Sequence, residues 1–207
     1  MTAPVPSPTI VLGLGNPGAG YADTRHNLGH RVIERLAERS GLRLCEAEPL
    51  AGRALAAEFA GPHGAVVLAR TRTYMNQSGR AALALARCYG AERPDFLVLH
   101  DDADLELGRL RLRPGGGAGG HNGLRSLIDA LGGEDFGRLK LGVRGAGREG
   151  AELADYVLEP FAADERPTVE ALIRLAADAV DCRLAHGLAE AMNRFNGQRA
   201  GDAADAG

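Results

Sequence analysis

No run of this 207-residue chain reaches the roughly 18 consecutive apolar residues that a membrane-spanning helix needs. The opening "MTAPVPSPT" lacks the basic start and apolar centre of a secretory leader, so the cytoplasm is the expected compartment. Cysteine is scarce. Cys45, Cys88 and Cys182 are odd in number, far apart and without a C-x-x-C pair, which excludes a disulfide framework and leaves reduced thiols as the simplest reading. No serine stands in a G-x-S-x-G elbow, so a covalent nucleophile is not expected. Overall basic charge is missing too: 24 Lys and Arg against 27 Asp and Glu give a net charge of −3, which argues against a uniformly basic nucleic-acid binder. Residues 1–104 hold 11 basic and 11 acidic side chains, residues 105–150 hold 8 and 5, and residues 151–207 hold 5 and 11, so the middle is locally positive. A single lysine, Lys140, accompanies 23 arginines; arginine abundance is therefore compositional and by itself says little about phosphate.

What is present suits one soluble domain, with 45% apolar and 25% charged residues. Val11, Leu12 and Leu14 predict a short buried strand ending in a glycine turn. Leu28, Val32, Ile33, Leu36 and Ala37 then fall at helical spacing and stop at Gly41. "ALAAEFA" and "AVVLA" around residues 61–64 predict a hairpin. Ser78 is placed to cap a helix carrying Ala82, Leu85, Ala86 and Tyr89, ended by Gly90. "FLVLH" predicts a strand running into three acids, Asp101, Asp102 and Asp104, which ordinarily make a solvated turn, and "RLRLR" alternates as an edge strand does. Asn122 opens a helix with Leu124, Leu127, Ile128 and Leu131 inward; "RLKLGVR" is a further strand; a long helix over 164–186 and a shorter one through Phe195 close the series. The expected architecture is a single α/β domain over residues 9–196, a twisted mixed β-sheet flanked by helices on both faces, with disordered tails at 1–8 and 197–207.

Gly13, Gly15 and Gly18 spell G-x-G-x-x-G after the first strand, the fingerprint of a dinucleotide-binding turn. Such a turn needs a helix at once, so that its N-terminus faces the pyrophosphate. Here Ala19, Gly20, Tyr21 and further polar residues intervene before Leu28, and the acid due about 20 positions on falls near Glu38, inside a helix. A nicotinamide-dependent oxidoreductase is therefore the outside alternative. The turn has a better use, which is to present Asn16 at the carboxyl edge of the sheet, where open α/β sheets place their sites.

Ordinary parallel connections would bring five loops to that edge, with Asn16, His26, Asn76, Asp101, His121 and Asn122 on them. His26 suits a general base because its unperturbed pKa lies near physiological pH, and Asp101 is the carboxylate best placed to hold its tautomer. Asparagine amides offer donor and acceptor without charge, so they can hold a carbonyl, fix a water or support an oxyanion. A base-activated water fits this set. A zinc site from His26, His121 and Asp101 lacks any ligand pair at recognised close spacing, and no metal is expected. His30, His63, His100 and His186 receive no chemistry.

"GLGNPGAGYADTRHNLGH", "TYMNQSG", "HDDADLELG" and "GGGAGGHNGLRSL" stand in the order and spacing of bacterial-type peptidyl-tRNA hydrolase, and the chain resembles that family from Thr9 to about Phe195. The resemblance implies a monomeric α/β enzyme without cofactor that cleaves the ester between a peptidyl group and the 3′ end of tRNA. It implies His26 as the base that activates water and Asp101 as its stabilising partner. Asn16 would distinguish blocked from unblocked aminoacyl-tRNA, and Tyr21, Tyr74, Asn76 and Asn122 would bind the tRNA terminus or the substrate near the ester. Met75 and His121 would line the crevice; Arg113 and Lys140 would clamp the tRNA 5′ phosphate. The chain departs from the family pattern at Arg70 and Thr71, where Lys-Pro is frequent, and at Glu106, which replaces a common proline. A non-catalytic relative that binds RNA on the same scaffold is the main alternative, and the intact His26–Asp101 pair argues against it.

Overall fold

Six strands form one mixed sheet among the described residues, 7–145 and 152–201, of a computed structural model. They are β1 (Thr9–Gly13), β2 (Ala54–Gly61), β3 (Gly64–Thr71), β4 (Phe96–Glu106), β5 (Leu110–Arg113) and β6 (Gly137–Arg144), in the spatial order β2-β3-β1-β4-β6-β5. β3, β1, β4 and β6 run parallel, while β2 and β5 pair antiparallel at the two edges. The helices are α1 (Leu28–Arg39), α2 (Ser78–Tyr89), α3 (Asn122–Leu131), α4 (Leu153–Leu158), α5 (Arg166–His186) and α6 (Leu188–Phe195).

Strand alternation divides the core into two layers. Val11, Leu97 and Leu99 point into a cluster with Val32, Ile33 and Leu36 of α1 and Leu172, Ile173 and Ala176 of α5. Ile10, Leu12, Phe96 and Val98 point the other way, onto Leu85 of α2 and Leu124 and Leu127 of α3. A strand buried on both faces must be apolar at every position, which is why "TIVLG" and "FLVLH" read as continuous runs rather than alternating ones. β5 is the contrasting case. At the edge of the sheet, Leu110 and Leu112 are buried and Arg111 and Arg113 exposed, as the "RLRLR" alternation predicts.

The chain leaves β1 through α1 on one face and returns to β3 on one side; it leaves β4 towards β6 on the other side, through α3 on the opposite face. The carboxyl ends of β1 and β4 therefore flank the point where strand order reverses, the place where such sheets form a crevice. β1 stops pairing at Gly13↔Leu99, whereas β4 continues against β6 through Asp101↔Leu141 and Asp102↔Gly142 to Glu106. The three acids expected to form a solvated turn thus lie within a strand. β6 supplies the ladder that extends it, and the alternation 97, 99, 101 turns Asp101 toward the face that α1 covers.

Other expectations are corrected at the ends of elements. Ser78 is the first residue of α2 rather than its cap, and its hydroxyl donates to Met75 O at 2.8 Å. α3 is capped by the imidazole of His121. α4 was not foreseen; it is one and a half turns long, too short for periodicity to mark. The C-terminal tail expected from residue 197 is fastened as far as Ala200, whose N–H donates to Gly108 O at 2.7 Å while Arg199 bridges Arg109. Residues 1–6 and 202–207, the rest of both expected tails, lie outside the described residues.

α1 approaches the sheet closely at Gly29, where a Cβ would lie 2.5 Å from Leu99 O and 2.8 Å from Leu14 O. Both obstacles are backbone and cannot rotate away. Gly29→Ala is expected to destabilise the fold by about 1–3 kcal/mol through overpacking, read as a lower midpoint in urea; an unchanged midpoint would show that α1 can withdraw without cost.

Candidate active site

Asp101 lies on β4 beyond the last pairing with β1, and its side chain is 2% exposed. A carboxylate buried this deeply must be hydrogen-bonded or neutralised. Two imidazoles meet it, one from each face of the sheet. His26 sits on a 3-10 turn, Arg25–Asn27, which runs directly into α1. Its Nδ1 is 2.8 Å from Oδ1 and 2.9 Å from Oδ2 of Asp101. From the other face His121, at the head of α3, places Nε2 3.1 Å from Oδ1.

The hydrogen-bond network orders the protons. Nδ1 of His121 accepts from the backbone N–H of Gly123 at 3.1 Å and of Leu124 at 3.3 Å, so the ring proton resides on Nε2 and is donated to Asp101. His26 donates from Nδ1, which leaves its Nε2 as a lone pair without a partner among the described residues. His100 donates from Nδ1 to the carbonyl of Asp101 at 2.7 Å and stands edge-on to His121, with ring centroids 4.9 Å apart. Burial, with His121 beside it, pushes His100 down to about 3, so it stays neutral. Burial alone would raise the Asp101 carboxyl, but the charges and N–H donors of His26 and His121 outweigh it and hold the group well below the usual carboxylate range. For His26 the balance is similar: burial lowers its pKa, and the charge and hydrogen bond of Asp101 overcome that and leave it raised.

The His26 turn is fixed by its neighbours. Arg25 is buried between the rings of Tyr156 and Phe161, 4.4 and 4.7 Å from their centroids, and forks onto Glu165 at 2.7 and 3.2 Å. Asn27 clamps the glycine turn after β1, accepting from Asn16 N at 2.8 Å and donating to Asn16 O at 3.0 Å. Asn16 Oδ1 in turn accepts from Met75 N at 2.8 Å, so its Nδ2 is left as a donor with no partner among the described residues. Arg25 and Asn27 were missed as functional residues, although both stand inside the quoted "TRHN"; what gives them a role is contact with distant segments, which spacing does not reveal.

The structure brings His26, Asp101 and His121 together in one crevice, whereas Asn16, joined to Met75 by a hydrogen bond, lines a second cavity of about 390 Å³ with Asn27, His30 and Thr71. Met75 is buried and contributes packing and its backbone N–H. Tyr74 is 56% exposed, and Asn76 shares with Asn122, which also borders the His26 crevice, a groove of about 420 Å³ between α2 and α3. Tyr21 ends a 3-10 turn, Ala19–Tyr21, just before the His26 turn. Arg113 stands apart, exposed on edge strand β5. Lys140 borders the crevice on β6, where its Nζ is 2.7 Å from Asp102 Oδ2. The crevice itself has a volume of about 370 Å³ and is bordered by His26, Asp101, Gly119, His121, Lys140 and Leu153.

His26, Asp101 and His121 also hold one potential metal ligand atom each within 4.8 Å of one another, a cluster that sequence spacing did not suggest. His26 Nδ1 and His121 Nε2 are occupied in donating N–H to the carboxylate. Moving the His121 proton to Nδ1 would uncap α3, so the geometry is that of a proton-ordering network rather than a ligand set.

A buried carboxylate and an imidazole with one open nitrogen at the switch point of a mixed sheet suit an α/β enzyme of the hydrolase class. Comparison with known proteins makes the assignment specific. The family model described as peptidyl-tRNA hydrolase matches residues 10–203. The peptidyl-tRNA hydrolase of Nocardia farcinica (strain IFM 10152) is 45% identical over 197 residues, covering 95% of this chain and 100% of that protein, and that of Mycobacterium sp. (strain KMS) is 48% identical over 188 residues, covering 90% and 95%. The crystal structure of peptidyl-tRNA hydrolase from Acinetobacter baumannii superposes with a TM-score of 0.84 at 31% identity over 96% of this chain and 100% of that one. The chain belongs to the peptidyl-tRNA hydrolase family.

Asp101→Asn removes the charge that raises the His26 pKa and leaves the burial that lowers it. The His26 Hε1 resonance is expected to titrate lower than in the parent chain. A midpoint that stays in place would show that the carboxylate does not set the basicity of this ring.

Proposed function

We propose that His26 is the general base of peptidyl-tRNA hydrolysis in this chain. The reaction cleaves the ester between the peptidyl group and the 3′ end of tRNA, releasing peptide and free tRNA. Nε2 of His26 takes a proton from a crevice water as the water oxygen attacks the ester carbonyl carbon. The bond to the terminal ribose oxygen then breaks, and the proton passes from His26 to that oxygen. An ester to a ribose hydroxyl has a good enough leaving group for this direct attack, so no covalent intermediate is needed. The observation that carries the reading is the 2.8 Å contact between His26 Nδ1 and Asp101, which leaves Nε2 as the open nitrogen.

Asn16 supplies the selectivity. Its carboxamide oxygen is taken by Met75 N–H, so the group offered to substrate is Nδ2, a donor. A peptide carbonyl can accept from it; a free α-ammonium cannot, and brings a charge into a site built around a neutral amide. Tyr74, 56% exposed, suits stacking on a terminal base, and Asn76, Asn122 and Tyr21 bind the substrate near the ester. Arg113 and Lys140 contribute to phosphate binding, Lys140 after exchanging its bond with Asp102. In register, Arg111 faces Lys140 and Arg113 faces Arg138, so all four lie on one face of the β5–β6 pair. No helix among the described residues is long and apolar enough to cross a membrane. The enzyme works as a cytoplasmic monomer without cofactor or protein partner.

His26→Ala is expected to lower kcat on N-acetyl-aminoacyl-tRNA by about 10²–10⁴-fold with substrate binding retained, measured by single-turnover hydrolysis and a binding titration. A wild-type chain that binds this substrate but releases no tRNA would be a non-catalytic RNA binder. Arg113→Ala is expected to weaken tRNA binding and reduce the slope of log K against log salt by about 1; an unchanged slope removes Arg113 from the interface.

A further inference from the structure

His30 and Thr71 take no part in the chemistry above, yet both are buried and joined to the turn that carries Asn16. Thr71 closes β3 with no exposed surface, and its hydroxyl is 2.9 Å from Gly15 O. His30, one turn into α1 and 2% exposed, places Nε2 2.9 Å from the same hydroxyl. The proton order is forced. Gly15 O can only accept, so Thr71 spends its single proton there, and His30 must donate from Nε2 to the hydroxyl oxygen. Nδ1 is then the bare acceptor, and it is the His30 atom left buried without a partner. Burial and the nearby Arg70 push His30 down to about 3, which keeps it neutral with this single donor. The ring lies against Gly15, where a Cβ would be 2.6 Å from Nδ1.

With Asn27, this chain of bonds occupies three consecutive backbone groups: Gly15 O by Thr71, then Asn16 N–H and Asn16 O by Asn27. Met75 N–H holds the side-chain oxygen. The polar atom of Asn16 left without a partner among the described residues is Nδ2, the donor that the reading above assigns to substrate.

We infer that His30 and Thr71 are positioning residues for substrate selection: the His30–Thr71–Gly15 chain aims the Asn16 amide, and thereby sets how strongly the enzyme prefers N-blocked aminoacyl-tRNA over its free-amine form. The inference rests on the reading of Asn16 given above. It separates two layers of the site, since the Thr71 chain touches neither His26 nor Asp101.

The test compares Thr71→Val, which keeps the shape and deletes the hydroxyl, with Thr71→Ser, which restores it. On N-acetyl-aminoacyl-tRNA, Thr71→Val is expected to raise KM about tenfold with a much smaller change in kcat. The ratio of kcat/KM for acetylated over free aminoacyl-tRNA should narrow by a similar factor, the pH profile of kcat should stay in place, and Thr71→Ser should restore both quantities. Unchanged KM and selectivity in Thr71→Val, or a serine variant no better than the valine one, would overturn the inference. If the wild type itself shows no preference for the acetylated substrate, the reading of Asn16 fails instead. A measurement on the unmodified protein covers the case of a variant that does not fold. The ¹⁵N shifts of the His30 ring should show the Nε2–H tautomer at neutral pH; an Nδ1–H tautomer would overturn the proton order on which the inference stands.

Discussion

Placing a carboxylate inside a β-strand imposes a demand that organises this molecule. Asp101 is cut off from water, and its charge survives only because N–H donors reach it from both faces of the sheet. One donor comes from the turn before α1 and the other from the residue before α3, so the crossovers that cover opposite faces are tied at a single group. The topology makes this possible. α1 and α3 begin on either side of the point where strand order reverses, and β1 ends early enough for side chains to reach the flank of β4.

The same imidazole that steadies Asp101 also caps α3. His121 accepts two helix N–H groups on one nitrogen and donates to the carboxylate from the other, so the start of the helix bearing Asn122 and the acid behind His26 share one ring. Asn16 is organised by a parallel logic, through Asn27, Met75 and Thr71. Polar groups thus act in two sets, one ordering protons and one ordering a carboxamide. Arg25 and Glu165 fasten the turn between them with a forked, ring-enclosed ion pair.

Much of the architecture was legible in the chain because burial leaves a pattern. Both-face strands read as apolar runs, the edge strand alternated, and helices ended on glycines such as Gly90 and Gly132, which adopt the left-handed conformation. The candidate site was legible in composition in that His26, Asp101 and His121 meet at one sheet edge, although Asp101 reaches it from a strand rather than from a loop. What stayed hidden depends on contacts between distant segments. Three acids in a row look like a turn unless one knows that β6 extends the ladder beside them, and α4 is too short to show a period. His121 is the local exception: its cap bonds reach only two and three residues ahead, but histidine is not among the residue types that ordinarily mark a helix N-cap. His30 read as an unremarkable helix position because its partner lies 41 residues away on β3.

β4 runs on after β1 has stopped, which leaves backbone groups on one flank without a neighbouring strand. Such a flank is ordinarily a template for another chain to add itself. Here His100 occupies the Asp101 carbonyl on that flank, with the rings of His26 and His121 packed close by. The side chains that line the crevice therefore also cover this flank of the sheet, where an added strand would otherwise pair.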